Sequence, residues 1–591
     1  MFRYLTFIIT FTVIISVSAL ADFNHSDPLF KNRIIGNSAE ILLMWPGAQA
    51  SDSCSARVYD GHNLNPSNRI VYHGLEPYKN YKMLDASTGD YNGDGKDDIV
   101  MAYFGYANND GWGRWIRIVI PEMTGYSMQA TNHYYEYDCC MYEMDDIAFE
   151  QLNIRLISGN FDDDANDEFV LAIWDYGTYT GLGGDIDIHL YNADNLNDPV
   201  LTTSILADFL DPTLKDAAKF DLAAGDFNGD GVDEILLAGG YKIQNTQFGV
   251  FARIIQSDYE NDQLVLKARK DSLYYHYEGS TANSEGDYVE RIAIATGDFN
   301  GDRRDEAVVT MQHRNGDWED FTPYWPNGWD YRSYLSFFIA PISVNIDLNT
   351  INFNPDNRIQ YSSGEIKHLI DQSGPRTYDV SGFALSVATG DLNLDGREEV
   401  VWAVYNRVRV FELNNALELA ELTQYNRTVK WYDASVHTVA VADVNVNPDE
   451  EKWKPEIVMF DWSASGYSNL QLLSPQIDQY NNIYGLTKLV NIGNEFPFDL
   501  NPVALAVGDF DGDAIRLGAP HYTTATSYTQ PTVIINPPPV HYDILDDTLD
   551  VNQCYGGETC PFMSVYETEV SQTSEILTTV NADWGLSVGF G

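Results

Sequence analysis

The sequence predicts an all-β protein: a seven-bladed β-propeller, seven small sheets set radially around an axis, followed by a short C-terminal extension. Three observations carry that prediction. A short acidic loop recurs seven times at roughly seventy-residue intervals, reading GDYNGDGKDDIVMA at 89–102, GNFDDDANDEFVLA at 159–172, GDFNGDGVDEILLA at 225–238, GDFNGDRRDEAVVT at 297–310 and GDLNLDGREEVVWA at 390–403, with weaker copies from Ala442 and Gly508. A period of that size means one supersecondary unit repeated along the chain. Each loop leads straight into a short, branched, apolar run such as IVMA or ILLA, which suits a buried strand. The run before a loop alternates large with small residues, as in Ile292, Ala293, Ile294, Ala295 and again in Val503, Ala504, Leu505, Ala506. Each loop therefore joins two strands of one sheet. Small residues suit inner strands crowded around an axis, and radial repetition leaves few exposed sheet edges.

The spacing inside the loop is chemical. Counted from the first acid, side-chain oxygens stand at positions 1, 3, 5 and 9, and position 7 offers a backbone carbonyl. The five full sets are Asp90, Asn92, Asp94 and Asp98 with the carbonyl of Lys96; Asn160, Asp162, Asp164 and Glu168 with that of Asn166; Asp226, Asn228, Asp230 and Glu234 with that of Val232; Asp298, Asn300, Asp302 and Glu306 with that of Arg304; and Asp391, Asn393, Asp395 and Glu399 with that of Arg397. Ca²⁺ takes about 6 to 8 oxygen ligands, and alternate side chains on a tight loop can converge on one such ion. No sulfur or imidazole is offered, so zinc, copper and iron are poor candidates. Asp, Asn and Gly also form turns without any metal. Five copies with one spacing between first and last acid point beyond a turn. An EF-hand is excluded, because its loop runs to a Glu at position 12 between helices.

The last two loops depart from this pattern. The sixth has Asp443, Asn445 and Asn447, with Glu456 as its closing acid after a proline-containing insertion. The seventh has Asp509, Asp511 and Asp513, then Leu517 where the last carboxylate should stand. The expectation is about five Ca²⁺ sites, rising to seven if both are filled.

This pattern resembles the FG-GAP or VCBS repeat of the N-terminal propeller of integrin α subunits and of many secreted bacterial proteins; a Gly518-Ala519-Pro520 follows the seventh loop. The resemblance covers residues from about 35 to 535. It implies a seven-bladed propeller, placed here within 22–535, with Ca²⁺ held between the first two strands of a blade. Residues 1–21 read as a leader, and after Pro537-Pro538-Pro539 the repeat is gone, so 536–591 reads as an extension, either a small appended module or the start of a truncated domain.

Composition narrows the function classes. With 87 acidic against 35 basic residues, a net charge of −52 repels phosphate backbones and excludes nucleic acid as the expected partner. The N-terminus reads as a secretory signal: Arg3, an apolar stretch from Leu5 to Val17, then Ala19-Leu20-Ala21 as a cleavage site, too short to span a membrane. The mature chain has no other long apolar run, so no transmembrane helix is expected. A secreted, surface or periplasmic location follows, where calcium is plentiful. Of five cysteines, Cys554 and Cys560 enclose a short loop and are the expected disulfide. Cys54 with Cys139 or Cys140, or a bridge between those two neighbours, stay open.

Three aromatic clusters stand between the loops: Trp318, Tyr324, Trp325, Trp329 and Tyr331; Tyr103, Phe104, Tyr106, Trp112 and Trp115; Trp174, Tyr176 and Tyr179. Such rings either pack between blades or stack on sugars and proteins. No catalytic residue is assigned. A Gly585-Leu586-Ser587-Val588-Gly589 match has no acid and histidine after it, as a nucleophile elbow needs. The functional expectation is a secreted calcium-binding module for adhesion to an extracellular protein or glycan. The alternative is the targeting or scaffold propeller of a polysaccharide- or lipid-active enzyme, or of a toxin, whose active domain lies outside this chain. Oligomeric state is not read.

Overall fold

The computed structural model describes the strands of the ring and most of their turns between residues 34 and 516, with 530–531 and 569–570 beyond them. Residues 1–33, 74–83, 139–152, 176–184, 206–219, 277–287, 321–328, 370–384, 427–434, 445–454, 494–503 and most of 517–591 are the longer segments outside the described residues. The signal segment, Cys139, Cys140, Cys554, Cys560, Tyr324, Trp325, Asn445, Asn447, Leu517 and the Gly585–Gly589 match fall there. So do Trp112, Tyr176, Tyr179, Asp511 and Asp513.

The described residues form the expected seven blades, each an antiparallel sheet. From the axis outward, blade 1 is Leu84–Gly89, Asp98–Ala107, Gly113–Val119 and Tyr134–Asp138. Blade 2 is Asn153–Gly159, Glu168–Asp175, Asp185–Tyr191 and Leu201–Ile205. Blade 3 is Phe220–Gly225, Glu234–Gln244, Gln247–Asp258 and Gln263–His276. Blade 4 begins Tyr288–Gly297, Glu306–Asp320 and Trp329–Asn345, and this third strand then pairs with both Thr350–Phe353 and Ile359–Leu369. Blade 5 is Leu385–Gly390, Glu399–Val404, Arg407–Leu413 and Leu419–Asn426. Blade 6 is Ser435–Ala442, Glu456–Ser463, Tyr467–Ile477 and Ile483–Gly493.

Blade 7 is assembled from both ends of the ring. Its inner strand, Ala504–Gly508, pairs with Glu40–Pro46, which continues into Asp52–Tyr59 and Ile70–His73. Outside it, Ile34–Gly36 pairs with Ala514–Arg516. Early and late strands thus close the circle by backbone pairing, which removes the two edges an open array would expose.

Strand position explains strand composition. The second strand of a blade has a neighbouring blade on each face, and Glu399–Val404 is accordingly buried at every residue. The outermost strand faces water, and Leu419–Asn426 is only half-buried or exposed along its length. Each apolar core lies between two consecutive blades: Phe161, Val170 and Ile188 of blade 2 pack with Phe220, Ile235 and Leu237 of blade 3. Inner strands add polar ties from blade to blade. The Asp85 carboxylate accepts the Leu156 N–H at 2.9 Å, Asp221 accepts the Ile294 N–H at 3.0 Å, and the Ser386 hydroxyl accepts the Val439 N–H at 3.2 Å. Among the described residues no helix is long and apolar enough to cross a membrane.

Candidate metal centres on the loop rim

Each of the first six acidic loops connects the inner strand of a blade to its second strand, so the closing acid is fixed by sheet register. Gly89 pairs with Asp98, Gly159 with Glu168, Gly225 with Glu234, Gly297 with Glu306 and Gly390 with Glu399. In four of these loops the closing carboxylate accepts the N–H of position 2: Phe161 at 3.0 Å, Phe227 at 3.1 Å, Phe299 at 3.3 Å and Leu392 at 2.8 Å. The acid is thereby pulled under the loop rather than left in solvent.

The first acid shapes the turn. Asp226 accepts the N–H groups of Gly229 at 2.6 Å, Asp230 at 3.1 Å and Gly231 at 2.9 Å, and Asp298 does the same for Gly301, Asp302 and Arg303. Asp90 and Asp391 accept from positions 5 and 6 of their own loops. Position 5 in turn accepts the N–H of position 7, so Asp94, Asp164, Asp230, Asp302 and Asp395 hold Lys96, Asn166, Val232, Arg304 and Arg397 in place. Positions 4 and 6 bend through positive φ, 78° at Gly229 and 94° at Gly231, where a missing Cβ removes the strain. Arg303 at φ 71° and Leu394 at φ 61° take the same bend with a side chain.

Burial and crowding drive the closing acids upward. Desolvation, then neighbouring carboxylates, pushes Glu168 to about 9, Glu306 to about 8 and Asp98 to about 6. Burial likewise pushes Glu234 to about 8, opposed by the Phe227 N–H, and raises Glu399 well above its ordinary value. The donors are hard oxygens, which fits Ca²⁺. They are not equally ready for it. In the first, third, fourth and fifth loops the position-3 asparagine donates its amide to the closing acid, as Asn92 to Asp98 at 2.9 Å, Asn228 to Glu234 at 2.7 Å, Asn393 to Glu399 at 2.8 Å, and Asn300 to Glu306. In the second loop Asp162 stands there instead, and Glu168 Oε1 is buried with no hydrogen-bond partner.

The sixth and seventh loops are completed from unequal distances. Glu456 begins the second strand of blade 6, pairs with Ala442 and accepts the Val444 N–H at 3.0 Å, across the insertion. Burial pushes its companion Asp443 to about 7. In the seventh loop the closing place belongs to Glu40, not to a residue downstream of Asp513. Glu40 pairs with Gly508 and accepts the Phe510 N–H at 2.8 Å, as the other closing acids do. A chain read in order looks for that acid after the loop; ring closure brings it from the first strand.

Two further loop positions carry the ring, and neither stood out in the sequence. Position 2 is apolar throughout and buried: Tyr91, Phe161, Phe227, Phe299, Leu392, Val444 and Phe510 each pack in a core shared with the next blade. In six of the seven loops position 8 ties the loop to the one before it; in the sixth that place is Pro455, which has no N–H to give. The Asp167 N–H donates to the Asp90 carbonyl at 2.9 Å while its carboxylate accepts the Asp90 N–H at 2.9 Å. Asp233 does this to Asn160, Asp305 to Asp226, and Asp97 to Asp509 across the closure. The Glu398 N–H donates to the Asp298 carbonyl and the Ala39 N–H to the Asp443 carbonyl. These links set the loops side by side on one rim. In every loop but the sixth, where Ala442 stands, a glycine precedes position 1 and makes room: a Cβ on Gly159 would stand 2.6 Å from Asp233 Oδ2. The available signal was the second acid in KDD, NDE, VDE, RDE and REE.

The aromatic clusters separate. Tyr103 is core, 1 % exposed, with the Arg117 guanidinium 6.0 Å from its ring centroid. Phe104 and Tyr106 lie in the second strand of blade 1 and Trp115 in its third, while Trp174 is in the second strand of blade 2. Trp318, Trp329 and Tyr331 lie on the long hairpin of blade 4, where Trp318 pairs with Tyr331 and Asp320 with Trp329. Cys54 is a buried free thiol, and burial raises its pKa.

No protein-family model matches this chain, and neither does any curated protein. Among solved structures it is similar to a protein from Lactobacillus plantarum, at 10% identity and TM-score 0.36 over 80% of this chain and 99% of that one. It is also similar to the Nup133 β-propeller domain of Vanderwaltozyma polyspora, at 10% identity and TM-score 0.33 over 75% of this chain and 90% of that one. At such values no function passes between chains, and the seven blades rest on their own strand pairing.

Proposed function

We propose that the chain is an exported, calcium-stabilised propeller that binds an extracellular protein or glycan and does no chemistry itself. The observation that carries this reading is the rim of like-built acidic loops, four of which close on a glutamate that is buried and driven far above its ordinary value. Such groups are unstable as bare anions at neutral pH, and a hard cation relieves them. Bound Ca²⁺ supplies charge neutralisation and fixes each inner strand to its partner; the chain's own part is to hold the oxygens in register. Binding to the folded state alone then adds stability by mass action.

The proposed binding surface is the blade 4 hairpin, whose strands Glu306–Asp320 and Trp329–Asn345 run 15 and 17 residues against 6 and 7 for the matching strands of blade 5. It carries Trp318, Trp329 and Tyr331, and Tyr324 and Trp325 come between its two strands in sequence. Aromatic rings on a projecting element suit stacking on sugars or anchoring a protein. The test is retention of the full chain on insoluble glycans and whole-cell surfaces, in millimolar calcium and in chelator, with released products assayed. Calcium-dependent retention without product supports the reading. Soluble product refutes the non-catalytic part, and retention indifferent to chelator refutes the calcium part.

A further inference from the structure

The closing acids divide the loops into two kinds. Where position 3 is asparagine, its amide and the position-2 N–H together satisfy the carboxylate, as for Glu234 and Glu399. The second loop reverses the order, with asparagine at position 1 and aspartate at position 3. Ionised Asp162 has no hydrogen to give. Glu168, 1 % exposed, spends Oε2 on the Phe161 N–H and leaves Oε1 buried without a donor. Ligand oxygens of Asp162, Asp164 and Glu168 lie within 4.8 Å of one another. An orphaned acceptor facing two more carboxylates lacks a donor and carries their repulsion as well, and a cation satisfies both at once.

The neighbouring blade reaches the same place. The Ser257 hydroxyl donates to the Phe161 carbonyl, which holds the blade 3 turn between Asp258 and Gln263 against this loop. Tyr259, 36 % exposed, lies in that turn two residues after Ser257, on the segment this hydrogen bond holds against the second loop. A phenol hydroxyl is a neutral oxygen donor of the kind hard cations accept beside carboxylates.

We propose that the second loop is the principal cation site of the ring, a two-blade Ca²⁺ site in which Asp162, Asp164 and Glu168 hold the ion and the Tyr259 hydroxyl covers it from blade 3. The inference rests on the calcium reading above. In four other loops a cation displaces an asparagine amide from the closing acid. Here it fills a vacant acceptor and relieves mutual repulsion, so this loop binds first and its occupancy fastens blade 2 to blade 3.

The experiment titrates Tb³⁺, a Ca²⁺ probe excited through nearby tyrosine, into the chelator-stripped full chain, with melting curves in calcium and in chelator. Asp162→Asn installs the pattern of the other loops. It weakens the tightest Tb³⁺ class at least about 10-fold and raises the melting temperature in chelator, because the new amide reaches Glu168. Tyr259→Phe lowers the sensitised emission and weakens that class about 10-fold, the scale of losing an outer partner of a metal. If the parent chain binds Tb³⁺ saturably and Asp162→Asn leaves the tightest constant unchanged, the inference is overturned and the calcium reading stands. Unchanged emission and affinity in Tyr259→Phe overturn the two-blade site. No saturable binding of Tb³⁺ or Ca²⁺ by the parent chain sinks the calcium reading itself.

Discussion

Replacing Glu40 by alanine tests how the ring is closed. Glu40 is 2 % exposed, and its carboxylate accepts the Phe510 N–H at 2.8 Å between residues 470 apart in sequence. Alanine leaves that buried N–H without an acceptor, which costs about 1–3 kcal/mol. At about 1.4 kcal/mol per factor of ten, the open population of blade 7 rises roughly 5- to 150-fold. Glutamine keeps a carbonyl acceptor and costs about 1 kcal/mol or less. The assay is hydrogen exchange of the full chain in chelator, read on Ala504–Gly508, whose pairing runs from Met44↔Ala504 to Glu40↔Gly508. The expected order is fastest exchange in Glu40→Ala, less in Glu40→Gln and least in the parent, with the inner strand of blade 3 unaffected. Equal exchange in all three refutes closure through Glu40. Equal acceleration in both variants means that charge, not the hydrogen bond, is what matters.

Phe227→Ala empties a place 1 % exposed in the core shared by blades 3 and 4 and costs about 3–5 kcal/mol, read as a shifted denaturation midpoint with an unchanged slope. In chelator, Glu168 at about 9 and Glu234 and Glu306 at about 8 hold protons in the folded chain that the unfolded chain releases near its ordinary value of 4.5. Their contribution is therefore complete below that value and lost as pH rises through 8 to 9; calorimetry should show the metal-free melting temperature falling from about pH 5 to about pH 9, and calcium flattening the fall. Arg303→Gly removes a side chain from φ 71° and is expected to stabilise by about 0.5–1 kcal/mol in urea titrations, whereas Gly231→Ala at the same loop position costs about 1–2 kcal/mol.

Much of this fold was legible because its signals are local. The loops, the strands on either side of them and their repetition are encoded within windows of about fifteen residues, and the structure places a strand at each. Even Glu456 was readable, since an insertion shifts a closing acid without changing its strand. The misses share one physical cause: they concern what lies between blades. The acids at position 8 look like extra charge beside a metal loop, yet Asp233 is 4 % exposed and ties Asn160 of the preceding blade. The apolar residue at position 2 looks like a variable spacer, yet it is core. For Tyr103 packing and presentation both stayed open, because a run of apolar residues does not say which of them faces a neighbouring blade.

The sequence by itself determined the repeat, the all-β ring and the oxygen donors of each loop, because strand alternation and loop spacing are properties of consecutive residues. Only the tertiary structure decided which loop is self-satisfied and which is short of a donor. That difference depends on where the amides of Asn228 and Asn393 and the carboxylate of Asp162 point once buried. The tertiary structure also supplied Glu40, since a circular sheet array has no first or last blade while a chain has two ends, and closing the circle pairs residues that no sequence window contains.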